Sequence, residues 1–169
     1  NHNRRGDFIR VVISAGGTGG HIYPALAIIN KIKKEEPDSE FIYIGTHNRM
    51  EKDLIPELKI PYEAIEVTGF KRKLTLDNFK ALTNFFKARR RCLKLIKEFN
   101  PDIVIGAGGY VTAPVIWAAK KLGCKTFIHE QNSVVGLSNK YLTKYADKIG
   151  VSFESTLKEF PSSKVVLTG

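Results

Sequence analysis

The chain has 169 residues, 43% of them hydrophobic and 26% charged, which suits one globular domain with a buried core and excludes a disordered or fibrous polymer. No apolar run approaches the roughly 18 residues that a spanning helix needs. Lys and Arg outnumber Asp and Glu by 27 to 17, giving +10, and ten of the basic residues with a single acid, Asp77, fall between Thr68 and Lys97. Charge this concentrated points to an anionic partner at one surface.

Asn1 to Arg5 is polar, lacks the basic, apolar and small-residue pattern of a signal peptide, and is read as a ragged terminus outside the fold, with residues 1–7 left out of it. Phe8 to Ser14 is an apolar run that reads as a buried parallel strand. A glycine loop follows, Gly16-Gly17-Thr18-Gly19-Gly20-His21, and then a helix from Ile22 to about Glu36 with Pro24 in its first turn. Pro37 to Ser39 turns the chain into a strand at Phe41 to Ile44, a short helix at Met50 to Leu58 and a strand at Tyr62 to Val67. After a basic loop, Thr68 to Thr75, a long helix runs from Leu76 to Phe99 and stops at Asn100-Pro101. Asp102 to Ile105 is the fourth strand, and Gly106-Ala107-Gly108-Gly109-Tyr110 a second glycine loop. A helix from Val111 to Leu122 ends at Gly123. Lys125 to His129 is the fifth strand; a helix at Gly136 to Tyr145, a strand at Lys148 to Val151, a short helix at Phe153 to Glu159 and a strand at Lys164 to Leu167 follow. Alternating strands and helices predict an α/β fold, a Rossmann-like doubly wound parallel sheet covered on both faces.

In strand order 3-2-1-4-5, both glycine loops leave the carboxyl ends of neighbouring strands, at the switch point where ligands bind. Each loop leads into a helix whose first N–H groups and dipole attract an anion. One such site suits a phosphate and two suit a diphosphate; otherwise the second loop merely packs closely on the first. A dinucleotide site needs an acid about 20 residues after the glycines, and the second strand ends Gly45-Thr46-His47 without one. No glycine precedes Lys-Ser or Lys-Thr, which weakens a nucleoside triphosphatase reading. His21, at the helix start, is placed either as a neutral general base or as a turn cap that binds phosphate. His129-Glu130-Gln131-Asn132 closes the fifth strand beside the same crevice, as a ligand contact or a loop cap. The two cysteines, Cys92 and Cys124, fit a reduced cytoplasmic protein, and the four histidines lack metal-ligand spacing.

On the long helix, Leu82, Phe85, Phe86, Cys92, Leu93 and Ile96 share an arc that reads mostly as core, interrupted by Arg89. Lys80, Lys87, Arg90, Arg91, Lys94 and Lys97 share the other side. Leu74, Leu76 and Phe79 fall toward the basic side. Apolar residues ringed by cations suit an anionic bilayer surface; a solvated basic face is the plain alternative. Nucleic acid is disfavoured, since no binding module is recognisable.

Three stretches, Gly16 to Ala27, Gly108-Gly109-Tyr110 with Pro114, and His129 to Asn139, resemble the bacterial peptidoglycan N-acetylglucosaminyltransferases. The resemblance runs from about Phe8 to Gly169. It implies a GT-B enzyme of two Rossmann-like domains that moves N-acetylglucosamine from UDP-N-acetylglucosamine to lipid I, forming lipid II, by inversion and with no metal or other cofactor. Family members are about twice as long, so residues 8–169 correspond to an acceptor-binding domain and the donor-binding domain is absent. The resemblance makes Gly16, Gly17, Thr18, Gly19, Gly20, Gly106, Gly108, Gly109 and Tyr110 the holders of the acceptor diphosphate. His21 becomes the candidate base, and Thr18, Tyr110, Glu130 and Asn132 the sugar or donor contacts. Lys71, Arg72, Lys73, Leu74, Phe79, Leu82, Phe85, Trp117 and Lys140 become a patch against an anionic membrane, at the cytoplasmic face of the inner membrane. The competing expectation is a subunit that binds a polyprenyl diphosphate or nucleotide sugar and needs a partner chain for catalysis.

Overall fold

A computed structural model of the chain describes residues 8–16, 22–47, 49–67, 76–130, 145–151 and 165–167. Its elements are β1 (Arg10–Ser14), α1 (Ile22–Glu35), β2 (Glu40–Gly45), α2 (Arg49–Glu57), β3 (Tyr62–Ala64), α3 (Leu76–Phe99), β4 (Ile103–Gly106), α4 (Thr112–Lys121), β5 (Lys125–Glu130), β6 (Lys148–Val151) and β7 (Val165–Leu167). The strands form one parallel sheet in the order β3-β2-β1-β4-β5-β6-β7. The predicted order 3-2-1-4-5 holds, and two strands extend it. The helices expected at 136–145 and 153–159 lie outside the described residues, apart from Tyr145 itself.

Parallel strands bury both faces, and their sequences show it. Val11 and Ile13 of β1 pack with Ala25 and Ile29 of α1 and Ile55 of α2. Val12, between them, points the other way, into a cluster with Val104, Ile128, Ala88, Cys92 and Ile96. Val115, Ile116, Ala118 and Ala119 of α4 complete that second cluster. Among the described residues, the helices therefore divide two and two across the sheet, as a doubly wound fold requires.

Several boundaries move for local reasons. β3 stops at Ala64, three residues short of expectation, because its partner β2 ends at Gly45. The Ile65 N–H still reaches the Gly45 carbonyl at 2.9 Å, so the chain leaves the sheet without stranding that donor. Asp102 stays outside β4 because its carboxylate accepts the Arg10 N–H at 2.8 Å. The predicted stops hold. Asn100 adopts a left-handed φ of 53° after α3, and Gly123, at φ 75°, follows α4. The Cys124 N–H then bonds the Ala119 carbonyl at 2.9 Å, a Schellman-type end.

The α3 arc needs correction. Ala88, Cys92 and Ile96 are buried, but Leu82 is 42% exposed and Phe86 53%. Core packing is thus confined to the second half of α3, where the sheet lies beneath it. Burial in that half pushes the Cys92 thiol up to about 12.

Candidate functional site

β1 and β4 are paired so that Ser14 lies opposite Gly106, and both strands end at the same level. The turns that leave them interlock. The Ala107 N–H donates to the Ser14 carbonyl at 2.8 Å, and the Gly16 N–H to the Gly108 carbonyl at 3.1 Å. Gly16, Gly108 and Gly109 have φ of 133°, 112° and 95°, values that side chains disfavour. A Cβ on Gly109 would overlap the Gly16 carbonyl oxygen. Only glycine allows the two backbones to approach so closely. The two turns therefore pack closely on one another at the carboxyl ends of neighbouring strands.

The second turn is closed from within. The Thr112 hydroxyl donates to the Gly109 carbonyl at 2.7 Å. The Thr112 N–H reaches the same oxygen at 3.2 Å, and the Ala113 N–H reaches the Tyr110 carbonyl at 3.3 Å. Two of the first α4 donors that the sequence reading assigned to a phosphate are thus used by the turn itself. Tyr110 is 41% exposed at the rim, and Tyr23, in the first turn of α1, is 64% exposed.

Beneath the first turn lies a carboxylate that the sequence reading missed. Glu51, on α2, is 5% exposed. Its Oε2 accepts the Thr46 hydroxyl at 3.1 Å, the Thr46 N–H at 3.3 Å and the Tyr62 hydroxyl at 3.3 Å. The Tyr62 hydroxyl also lies 2.5 Å from the Thr46 carbonyl. A Cβ on Gly16 would lie 2.5 Å from the Glu51 carboxylate oxygens. This acid comes from the helix after the second strand and, buried against Gly16, braces the turn; it is not the ribose-binding acid of a dinucleotide site. Tyr43 stacks on Tyr62 with centroids 5.5 Å apart, and burial, followed by the Glu51 charge, pushes both phenols up.

The other predicted site residues divide. His21, Gly17, Thr18, Gly19, Gly20 and Asn132 lie outside the described residues. Gly106 is buried against α4, where a Cβ would come within 3.2 Å of Ile116 Cγ1. Glu130 ends β5, paired with Val151, at the carboxyl edge of the sheet. Lys71, Arg72, Lys73, Leu74 and Lys140 also lie outside. Phe79, Leu82, Phe85 and Trp117 are described: Phe79 is 74% exposed, and Phe85 and Trp117 are half-buried. Arg89, the interruption in the arc, lies with its guanidinium carbon 3.4 Å from the Trp117 ring centroid and 5.6 Å from those of Phe85 and Phe86. A cation among aromatic faces accounts for a charge on that side of the helix. Among the described residues, no three His, Cys, Asp or Glu side chains are grouped to hold a metal ion.

Comparison with known proteins matches this geometry. The model of the glycosyltransferase family 28 N-terminal domain fits residues 11–151. The UDP-N-acetylglucosamine--N-acetylmuramyl-(pentapeptide) pyrophosphoryl-undecaprenol N-acetylglucosamine transferase 1 of Bacillus cereus is 54% identical over 95% of this chain and 44% of its own length. The corresponding Bacillus licheniformis transferase is 53% identical with the same coverage. Among solved structures, MurG of Acinetobacter baumannii superposes with a TM-score of 0.80 at 33% identity, over 95% of this chain and 45% of that one. The UDP-GlcNAc 2-epimerase of Neisseria meningitidis, at TM-score 0.70 and 15% identity over 95% of this chain and 46% of that one, shares the fold alone. The chain spans just under half the length of these relatives. With a Rossmann-like sheet of the GT-B N-terminal type and a family match over most of its residues, the chain belongs to glycosyltransferase family 28.

Proposed function

We propose that this chain is the acceptor-binding domain of an inverting transferase that moves N-acetylglucosamine from UDP-N-acetylglucosamine to undecaprenyl-diphosphoryl-N-acetylmuramyl-pentapeptide. The observation that carries this reading is the interlock of Gly16 with Gly108 and Gly109 at the carboxyl ends of β1 and β4. It sets two glycine turns on one crevice, a shape suited to a diphosphate, and the names of the relatives match that ligand. In this reading the acceptor diphosphate rests on the two turns. The acceptor 4-hydroxyl attacks the anomeric carbon of the donor, the bond to UDP breaks, and His21 takes the hydroxyl proton. Thr18, Tyr110, Glu130 and Asn132 contact the sugars. No metal is required.

Lipid I turnover is the test. The full-length transferase that carries this domain should make lipid II, and the 169-residue chain alone should not, because it spans under half of the relatives. Turnover by the short chain at a full enzyme's rate overturns the assignment. In the full-length protein, His21→Ala should lower kcat by roughly 10²–10⁴, the range for losing a general base. A raised KM with unchanged kcat would make His21 a phosphate ligand instead.

The exposed Phe79 and Leu82, beside half-buried Phe85 and Trp117, support the peripheral membrane reading. With Lys71, Arg72, Lys73, Leu74 and Lys140 they would seat the domain on the anionic inner face of the membrane. Each basic residue near such a leaflet contributes about 1 kcal/mol. Binding to anionic vesicles that is lost at high salt supports it; equal binding to neutral vesicles removes the electrostatic part.

A further inference from the structure

A second concavity lies beside the glycine turns, at the carboxyl ends of β2 and β3. It has a volume of about 420 Å³, within the usual range for ligand sites. His47, Glu66, Asn84, Lys87 and Arg91 supply its polar wall. Ile65 and Ala88, both buried, form the apolar floor. The site adjoins the first turn through a short relay. His47 follows Thr46, Thr46 bonds to Glu51, and the Glu51 carboxylate lies against Gly16. In an open parallel sheet, this edge is where ligands bind.

The charges select among ligands. Arg91 is committed on one side to Glu63, with Nη2 to Oε2 at 2.9 Å. Lys87 is exposed and joins none of the ion pairs among the described residues. Lys87, Asn84 and the rest of the Arg91 fork therefore offer donors to a carboxylate, while Glu66 offers an acceptor to N–H groups. A phosphate has no N–H group to give Glu66. A peptide has both N–H donors and a carboxylate, and apolar side chains for the floor.

We infer that this cavity binds the peptide arm of the acceptor, with a peptide carboxylate on Lys87 and Arg91. This rests on the function proposed above, in which the acceptor diphosphate occupies the turns. Five extended residues reach up to about 17 Å.

The test uses the full-length transferase and two acceptors, one with free peptide carboxylates and one with those carboxylates amidated. Amidation should raise the wild-type KM about tenfold, equivalent to about 1.4 kcal/mol, with kcat unchanged. Lys87→Glu should raise KM for the free-carboxylate acceptor by a similar factor and KM for the amidated acceptor by much less, at unchanged Tm. Equal KM for the two acceptors in the wild type overturns the inference, as does a Lys87→Glu effect that is the same for both. Absence of transfer to either acceptor by the wild type would instead overturn the proposed function itself.

Discussion

The two glycine turns leave neighbouring strands at one level, yet they are held in different ways. The first rests on a side chain: Glu51 fills the space under Gly16 and is fixed by Thr46 and Tyr62. The second rests on backbone, because Gly109 lies against the Gly16 carbonyl and is closed by its own Thr112. A side chain can swing away from an intruding methyl group; a backbone carbonyl in an interlocked turn cannot. The same residue type therefore carries different penalties at two positions in one crevice.

The largest effect should come from Gly109→Ala. It adds left-handed strain to a backbone collision, and a loss of about 3–4 kcal/mol is expected in urea unfolding. A loss below about 1 kcal/mol would mean that the turns separate easily. Glu51→Ala comes next, at about 2–3 kcal/mol, because Thr46 and Tyr62 lose a charged acceptor. Gly16→Ala shares that cause, so the double variant Gly16→Ala with Glu51→Ala should cost less than the two singles added, by at least about 0.5 kcal/mol. Strict additivity would show that the carboxylate does not brace the turn. Thr112→Val removes one hydroxyl bond to the Gly109 carbonyl and should cost about 1 kcal/mol.

The smallest effect lies away from both turns. Burial raises the Asp147 pKa, but bonds from Thr126 and Lys120, at 2.9 Å and 3.4 Å, outweigh it and hold the carboxyl below its ordinary value. A depressed carboxyl gives stability that is complete above the unfolded value of about 4 and is lost as pH falls through the folded one. Asp147→Asn should therefore flatten part of the acid side of the stability curve, and its effect should vanish at the lowest pH. An unchanged acid limb would place that sensitivity elsewhere.

The strand–turn–helix order, the sheet order and the meeting of the glycine loops were legible in the sequence, because hydrophobic runs and glycine spacing encode them locally. Glu51 was not. It sits in a short helix, and nothing in local spacing says that its carboxylate passes beneath a turn 35 residues earlier. The exposure of Leu82 and Phe86 was misread for a related reason. Periodicity gives the face of a helix, but not how far along its length a sheet lies under that face. Arg89 looked like a flaw in the arc until α4 supplied Trp117 for it to stack on. The Lys87 cavity also joins residues remote in sequence, on α3 and after two strands.

The buried thiol of Cys92 has a kinetic consequence. With its pKa near 12, almost none is thiolate at neutral pH, and reagents react with the thiolate. Alkylation at that sulfur must wait until α3 lifts from the sheet. In a variant with Cys124 replaced by Ser, the labelling rate becomes a clock for that opening. Slower labelling on addition of a diphosphate ligand would reveal that occupancy of the crevice is felt at α3, through the α4 that the second turn begins.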